Sequence, residues 1–195
     1  MPRPIAERVT GIARPSRDQI ILRDRKAQAF HFADDGKTPN NPRFPLVYYR
    51  SPVALDRKLD PAAIFEVLFA ANRWTGSWRD GIYPFNHFHT QTHEVLGIAR
   101  GSVKVRFGGE AGRLLALKAG DVVILPAGTG HRRVSHARDL LVVGAYPAKG
   151  SYDEPRPGEV PHDQAVAHIR KVPPPARDPV YGVKGALAAL WTSHR

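Results

Sequence analysis

The sequence predicts a mainly β fold, an antiparallel barrel or jelly roll, with one short helix in its N-terminal half. From Gly81 to Pro147, short runs such as SVKVRF, DVVILP and LLVVGAY alternate with Gly-rich segments such as FGGEAGR and KAGD. β-branched and large apolar side chains favour strands, and glycine favours the turns between them. Strands of about five residues separated by such short turns are typical of antiparallel barrels and jelly rolls.

One helix is predicted near residues 61–73. Asp60 is a good N-cap residue, and a proline follows it at the first helical position. We expect the apolar stripe of this helix to cover an edge or an end of the sheet, since a helix with one apolar face must bury that face. The stripe consists of Ile64, Phe65, Leu68 and Phe69.

The chain of 195 residues suits one domain with three segments. Residues 1–26 are predicted to form a basic N-terminal arm, because prolines interrupt any helix there and the charges follow no face. The barrel is predicted over residues 27–147. Residues 148–195 are rich in proline, so we expect an extended segment that wraps the barrel. This segment is predicted to end in a short helix that docks through Leu187, Leu190 and Trp191.

The net charge of +11 is spread along the chain. Only residues 1–26 show a mild concentration, with seven basic and three acidic side chains. Because no helix-turn-helix, zinc-finger or RNA-binding aromatic pattern accompanies the charge, we expect no specific nucleic-acid partner. A solvated basic surface or a pocket for anions explains the excess better. The sequence has no cysteine and no apolar run of membrane-spanning length, so we expect a cytoplasmic protein without a membrane partner.

Three histidines and a glutamate have the spacing of metal ligands. His87 and His89 lie two residues apart, so on a strand both project from one face. Glu94 begins the apolar run EVLGIARG, and His131 follows the turn PAGTG directly. Three imidazoles and a carboxylate suit one divalent transition metal: Mn, Fe, Co, Ni, Cu or Zn.

Two other histidines are less suited to this site. His93 precedes Glu94, and adjacent strand residues point to opposite faces, so only one of the two can enter the barrel. Glu94 shares its face with apolar neighbours and is the better candidate. His136 follows His131 by five residues and faces the other way on a regular strand. We expect both His93 and His136 to be exposed.

The candidate ligands belong to two longer motifs. Residues 81–101 read G-x5-H-F-H-x4-E-x6-G, and residues 120–131 read G-x5-P-A-G-x2-H, with 18 residues between them. In these motifs and their separation the chain resembles the cupin superfamily. The resemblance implies a double-stranded β-helix, a form of jelly-roll barrel, with His87, His89, Glu94 and His131 as metal ligands. Ser135 stands where the family often has an asparagine, which is not a ligand.

Within that superfamily, residues 68–101 and the later sequence GAYP resemble the YjlB-like single-domain cupins. The likeness extends over most of residues 28–190 and does not include residues 1–26. No reaction is assigned to this group of cupins. The resemblance therefore informs fold and metal binding more than function.

The pattern around the motifs also predicts a substrate pocket. Tyr83 and Phe85 share strand parity with His87, and Arg133 shares parity with His131, so these three side chains should line the cavity. Arg106 is a further candidate for an inward cation. Together they would suit a small anionic ligand with an aromatic wall beneath it and an arginine on its carboxylate. The alternative is that the aromatic residues belong to the core and the arginines are solvated.

These features give two function hypotheses. The first is a metal-dependent oxidoreductase, resembling a dioxygenase or an oxidase, that acts on a small carboxylic, keto or phenolic compound. The second is a non-catalytic module that binds a small molecule or a metal. An acid or base in the cavity would favour the enzyme, and its absence would favour the binding module. The sequence identifies no catalytic residue.

Self-association is a further expectation. An open sheet edge must be covered to avoid uncontrolled pairing. The N-terminal arm could add a strand to a second copy and give a two-fold homodimer. A tail on a monomer is the alternative.

Overall fold

The fold is a mainly β jelly roll, as predicted. The computed structural model describes residues 12–148 and 151–192, which contain nine strands and three α-helices. The strands are β1 (Gln28–Phe30), β2 (Leu46–Tyr49), β3 (Trp74–Asp80), β4 (Glu94–Arg100), β5 (Ser102–Phe107), β6 (Arg113–Lys118), β7 (Val122–Leu125), β8 (His131–His136) and β9 (Leu141–Pro147). The helices are α1 (Pro61–Ala71), α2 (His162–Lys171) and α3 (Leu187–Leu190).

The strands form two antiparallel sheets. A six-stranded sheet has the order β1-β2-β7-β4-β9-β3, and a three-stranded sheet has the order β6-β5-β8. The inner faces are apolar because side chains alternate along each strand. On β5, Val103, Val105 and Phe107 are buried inside, whereas Lys104 is exposed between them. Leu96 and Ile98 of β4 belong to the same inner cluster, which fills the space between the sheets.

Helix α1 covers the outer face of the large sheet. It begins after Asp60, whose side chain accepts a hydrogen bond from the Ala62 N–H at 3.0 Å, as the N-cap prediction requires. The predicted apolar stripe is buried, and the helix lies over the part of the outer face formed by the edge strand β3 and its neighbours β9 and β4. It packs with outward-facing residues such as Val95 and Ala99 in a second core cluster. The large sheet therefore has an apolar core on both faces.

Helix α1 approaches the sheet closely at Gly97. A Cβ atom on Gly97 would lie 2.5 Å from Cδ1 of Phe65, so the helix can pack at this distance only on a glycine. We expect Gly97→Ala to lower the free energy of unfolding by about 1–3 kcal/mol, the usual effect of overpacking. Denaturant unfolding measures the loss. Phe65→Leu would free space beside residue 97. The double variant Gly97→Ala/Phe65→Leu should therefore lose less free energy of unfolding than the sum of the losses in the two single variants. A loss equal to that sum would contradict this packing.

The C-terminal segment packs over the barrel and contains a helix that the sequence analysis did not assign. Helix α2 follows Pro161 and buries Ala165 and Ile169. Farther along, Leu187 of α3 and the adjacent Trp191 are buried as expected, and the Trp191 indole N–H donates to the carbonyl of Pro45 at 2.9 Å. The segment is thus part of the core. No helix in the described ranges is long and apolar enough to cross a membrane.

The described part of the N-terminal segment packs on its own chain. Residues 1–11 of the predicted arm lie outside the described residues. Within residues 12–26, Ala13 pairs with Leu59 and Leu22 pairs with Val53 in isolated β-bridges. Ile20 is buried in the outer core cluster. This part of the predicted basic arm contributes apolar surface to the fold.

Candidate metal centre

His87 and His131 lie opposite each other on neighbouring backbone segments. The His131 N–H donates to the His87 carbonyl at 2.9 Å, and the His87 N–H donates to the His131 carbonyl at 3.2 Å. The segment around His87 is thereby held along β8, although it forms only an isolated bridge and not a regular strand. The two imidazole rings are 4.0 Å apart between centroids. The turn before His131 needs Gly128, which has a φ of +90°.

Glu94 completes the group from the large sheet. It is the first residue of β4, and its Oε2 lies 3.3 Å from Nε2 of His89 and 3.4 Å from Nε2 of His131. The ligand atoms of His87, His89 and His131 all lie within 4.8 Å of one another. All four side chains are buried. The structure thus brings together the four residues that the sequence analysis selected, and the three histidines are close enough to hold a metal ion.

Backbone carbonyls fix which ring nitrogen carries the proton. Nδ1 of His87 lies 3.3 Å from the carbonyl oxygen of Phe85, and Nδ1 of His131 lies 3.1 Å from that of Thr129. Nδ1 of His89 forms a short hydrogen bond with the carbonyl of Asp153. A carbonyl can only accept, so Nδ1 must be protonated in each ring. In the neutral rings, the Nε2 lone pairs remain for a metal, which is how metal-binding histidines are usually oriented.

The charge states also fit a metal site. Burial, together with the neighbouring His131, lowers the pKa of His87 to about 3, so this ring is neutral at pH 7. Burial alone would raise the pKa of Glu94, but His89 and His131 hold it well below its usual range. Burial likewise opposes the charged form of His89, whereas the Glu94 carboxylate raises its pKa. A carboxylate faces imidazole nitrogens in a buried space, and a cation satisfies all these acceptors at once.

The four side chains face a cavity of about 700 Å³ between the two sheets. Apolar groups form most of its walls, with a few charged side chains among them. Among the predicted pocket residues, Tyr83 and Arg133 line this cavity. Phe85 does not line it directly: its ring stacks on Tyr83 at 4.8 Å and lies under the guanidinium of Arg156 at 3.7 Å. Phe85 therefore contributes to the aromatic wall only indirectly, by packing against the ring of Tyr83.

The expectation that Arg106 could face the cavity is wrong. Arg106 alternates with the inward residues Val105 and Phe107, so its side chain leaves the opposite face of β5. Its Nη1 lies 3.3 Å from the carbonyl oxygens of Glu110 and Gly112 in the following turn. Arg106 therefore stabilises that turn.

The expectation that His93 is exposed is also wrong, although its ring does point away from the cavity. His93 is 1% exposed and packs beside the stacked rings of Phe44 and Trp191. Its Nδ1 accepts the Ala127 N–H at 2.9 Å, and its Nε2 donates to the carbonyl of Pro173 at 3.0 Å. Burial lowers its pKa to about 4. The other excluded histidine, His136, is exposed as expected.

Besides Arg79 and Asp80 of β3 and Tyr146 of β9, sequence reasoning missed two further polar residues of the cavity, Tyr152 and Glu154. Both come from the C-terminal segment, and the Tyr152 hydroxyl donates a short hydrogen bond to Oε2 of Glu154. Burial and the adjacent Glu154 carboxylate raise the pKa of Tyr152, so its hydroxyl stays protonated at neutral pH. Tyr146 on β9 lies beside them with ring centroids 5.1 Å apart, and its hydroxyl accepts the Trp78 indole N–H at 2.8 Å. The sequence SYDEP has no periodicity that could have placed these residues.

Two antiparallel sheets around a cavity, with three histidines and a glutamate from two motifs, define a cupin-type jelly roll. No family model matches the chain. The Bacillus subtilis (strain 168) protein described as uncharacterized protein YjlB is 36% identical over 168 residues, which are 86% of this chain and 98% of that protein. The chain therefore belongs to the same family as YjlB.

Two solved structures resemble the chain more distantly. A cupin 2 domain-containing protein from Halorhodospira halophila is 16% identical, with a TM-score of 0.33 over 79% of this chain and 94% of that one. Acireductone dioxygenase from Bacillus anthracis, with a cadmium ion in its active center, is 17% identical, with a TM-score of 0.35 over 65% of this chain and 82% of that one.

Proposed function

We propose that this protein is a metal-dependent oxidoreductase that acts on a small carboxylic, keto or phenolic compound. His87, His89, Glu94 and His131 would hold one divalent transition metal. The observation that carries the proposal is the convergence of Nε2 lone pairs and a carboxylate, with the opposite ring nitrogens fixed by carbonyls, on a cavity of about 700 Å³. A metal held by four protein ligands supplies Lewis acidity there, and one-electron chemistry if it is redox-active.

One cation of the cavity wall, Arg133, supports an anionic ligand, although the carboxylates of Asp80 and Glu154 line the same cavity. Arg133 lines the cavity, and no carboxylate within residues 12–148 or 151–192 forms an ion pair with it. Its backbone N–H is bonded to the Tyr83 carbonyl at 2.8 Å, which fixes the position of the main chain beneath the guanidinium. A guanidinium without a protein partner is suited to a ligand carboxylate.

We expect Arg133→Ala to weaken the binding of benzoate by about 1.5–3 kcal/mol, the usual worth of a charge-assisted hydrogen bond. Calorimetric titration of the metal-loaded protein measures the loss. Arg138→Ala is the matched control, because it removes the same charge from an exposed position outside the cavity. Equal affinities in the two variants would show that Arg133 is a solvated surface residue.

The cavity also contains groups that can hold or accept a proton. Glu154 and Tyr152 stand at its mouth, in contact with each other. A binding module needs no such pair, whereas proton transfer to or from a substrate does. This observation favours the enzyme over the binding module.

The direct test starts from protein purified without chelators. Elemental analysis should find about one divalent transition metal per chain, as expected for a single four-ligand site. The metal is then exchanged for Fe(II), Mn(II), Ni(II) or Zn(II), and each form is screened for O₂ uptake with small carboxylic, keto and phenolic acids. Consumption of O₂ together with loss of one acid supports the oxidoreductase. Acid binding without turnover for every redox-active metal would identify a binding module instead.

A homodimer remains a proposal. Among the described strands, β1 and β3 form the edges of the large sheet, and such edges favour pairing with a second copy. Light scattering should give twice the chain mass of 21.6 kDa. Deletion of residues 1–11 tests whether that part of the arm is needed. A single-chain mass for the full-length protein at every concentration would remove the idea.

A further inference from the structure

The cavity has two chemically different flanks on either side of the candidate metal ligands. On the first flank, the Tyr83 ring lies 5.0 Å from His87, and Arg133 is hydrogen-bonded to the Tyr83 main chain. On the second flank, the Tyr152 ring lies 5.4 Å from His89. The rings of His87 and His89 are 5.9 Å apart between centroids. A ligand that lies beside His87 and His89 would therefore have the guanidinium of Arg133 at one end.

The second flank carries an acceptor at the other end. Glu154 lines the cavity, and its Oε2 accepts the Tyr152 hydroxyl. No donor in the described part of the chain forms a hydrogen bond with its Oε1. One carboxylate oxygen is therefore free to accept a hydrogen bond from a ligand. The cavity wall also includes the rings of Trp78 and Tyr146, and the Tyr146 ring lies 5.1 Å from that of Tyr152.

Asp153 holds the second flank in place. Its carboxylate accepts hydrogen bonds from the backbone of Thr90 at 2.8 Å and of Gln91 at 3.2 Å, and from the Thr90 hydroxyl at 2.5 Å. Its carbonyl accepts the Nδ1 proton of His89. The next residue but one, Pro155, accepts the Phe88 N–H at 3.1 Å. The backbone on either side of Glu154 is thus fixed to the first metal motif, as a preorganised ligand contact requires.

We propose that the ligand of this cavity is a small flat acid that also carries a hydroxyl or amine away from its carboxylate. Arg133 binds the carboxylate, Oε1 of Glu154 accepts a hydrogen bond from the hydroxyl or amine, and the aromatic wall packs against the flat body between them. This inference rests on the proposed function for the location of the ligand and narrows its substrate class. It concerns binding and does not require turnover.

The test uses three probes: 4-hydroxybenzoate, benzoate and phenol. Their binding is followed by the fluorescence of Trp78, which lines the cavity, whereas Trp74 and Trp191 are buried elsewhere and Trp78→Phe provides the blank. The full-length protein is measured both after dialysis against a chelator and after loading with Zn(II). We expect 4-hydroxybenzoate to bind about tenfold more tightly than benzoate, the usual effect of one hydrogen bond to a charged group. Phenol should bind most weakly, because it lacks the carboxylate.

Glu154→Ala should abolish the advantage of 4-hydroxybenzoate over benzoate and leave benzoate affinity unchanged. Glu159→Ala is the matched control from the same segment, since Glu159 bonds to Arg156 and does not line the cavity. Equal affinities of the two acids for the wild-type protein would overturn the inference. A Glu154→Ala variant that keeps the advantage, or loses affinity for both acids equally, would also overturn it.

The outcomes separate this inference from the proposed function. The expected probe pattern in the chelator-treated protein, with no metal uptake on loading, would disprove the metal-dependent oxidoreductase and keep the two-ended ligand. O₂ consumption with simple acids, and no gain from the added hydroxyl or amine, would keep the oxidoreductase and disprove the two-ended ligand.

Discussion

Replacing either His87 or His131 with alanine should lower metal occupancy to near zero. Each substitution removes one of the three clustered imidazoles, and the loss of His131 also removes a partner of Glu94 in a buried space. A site that has lost one of its four protein ligands binds a divalent metal far more weakly, because each ligand contributes directly to the affinity and to the coordination geometry. Elemental analysis of the purified variants, each compared with the wild-type protein, measures the change.

His93→Ala is the discriminating control for this prediction. It removes a histidine that neighbours Glu94 in sequence but lies in the outer core, so metal occupancy should stay close to that of the wild-type protein. Full occupancy in both His87→Ala and His131→Ala would disprove the four-residue site. Loss of metal from folded His93→Ala would show that the residue beside Glu94 was chosen wrongly.

The same His93→Ala variant should be strongly destabilised. The substitution leaves the Ala127 N–H and the Pro173 carbonyl without their partners and opens a space beside the stacked rings of Phe44 and Trp191. Unpaired buried polar groups and a core cavity together should lower the free energy of unfolding by about 2–4 kcal/mol. Denaturant unfolding of the metal-free protein measures this loss without a contribution from the metal.

His136→Ala provides the baseline for that measurement. Its ring is exposed on β8, so removal should change the free energy of unfolding by no more than about 0.5 kcal/mol. If the two alanine variants were equally stable, His93 would have no structural role in joining the barrel to the C-terminal segment.

The metal-site candidates could be found from sequence because their positions depend on local geometry. His87 and His89 are two residues apart on a segment that is extended along β8, and Glu94 shares strand parity with Leu96, so local spacing was enough to place these side chains together. The helix start at Asp60 is also local, since an N-cap and a proline determine it. His131 needed only the turn that precedes it.

The errors concern what lies outside the barrel. Alternation correctly turned His93 away from the cavity, but it could not show that α1 and the C-terminal segment cover that outer face. For Arg106, the sequence did contain the answer: Val105 and Phe107 are apolar and point inward, so the residue between them should point outward. The prediction that Arg106 faces the cavity disregarded this alternation. Glu154 carried no local signal at all, because only tertiary packing brings it to the cavity.

The hydrogen bond between His89 and the Asp153 carbonyl has a consequence for biosynthesis. The ribosome makes the chain from its N-terminus, so all nine strands emerge before residue 153 does. A nascent barrel already contains His87, His89, Glu94 and His131, yet the imidazole of His89 lacks its orienting acceptor and can turn or exchange its tautomer. We expect docking of Asp153 to fix this ring, so the proposed metal would be held stably only after the C-terminal segment is in place.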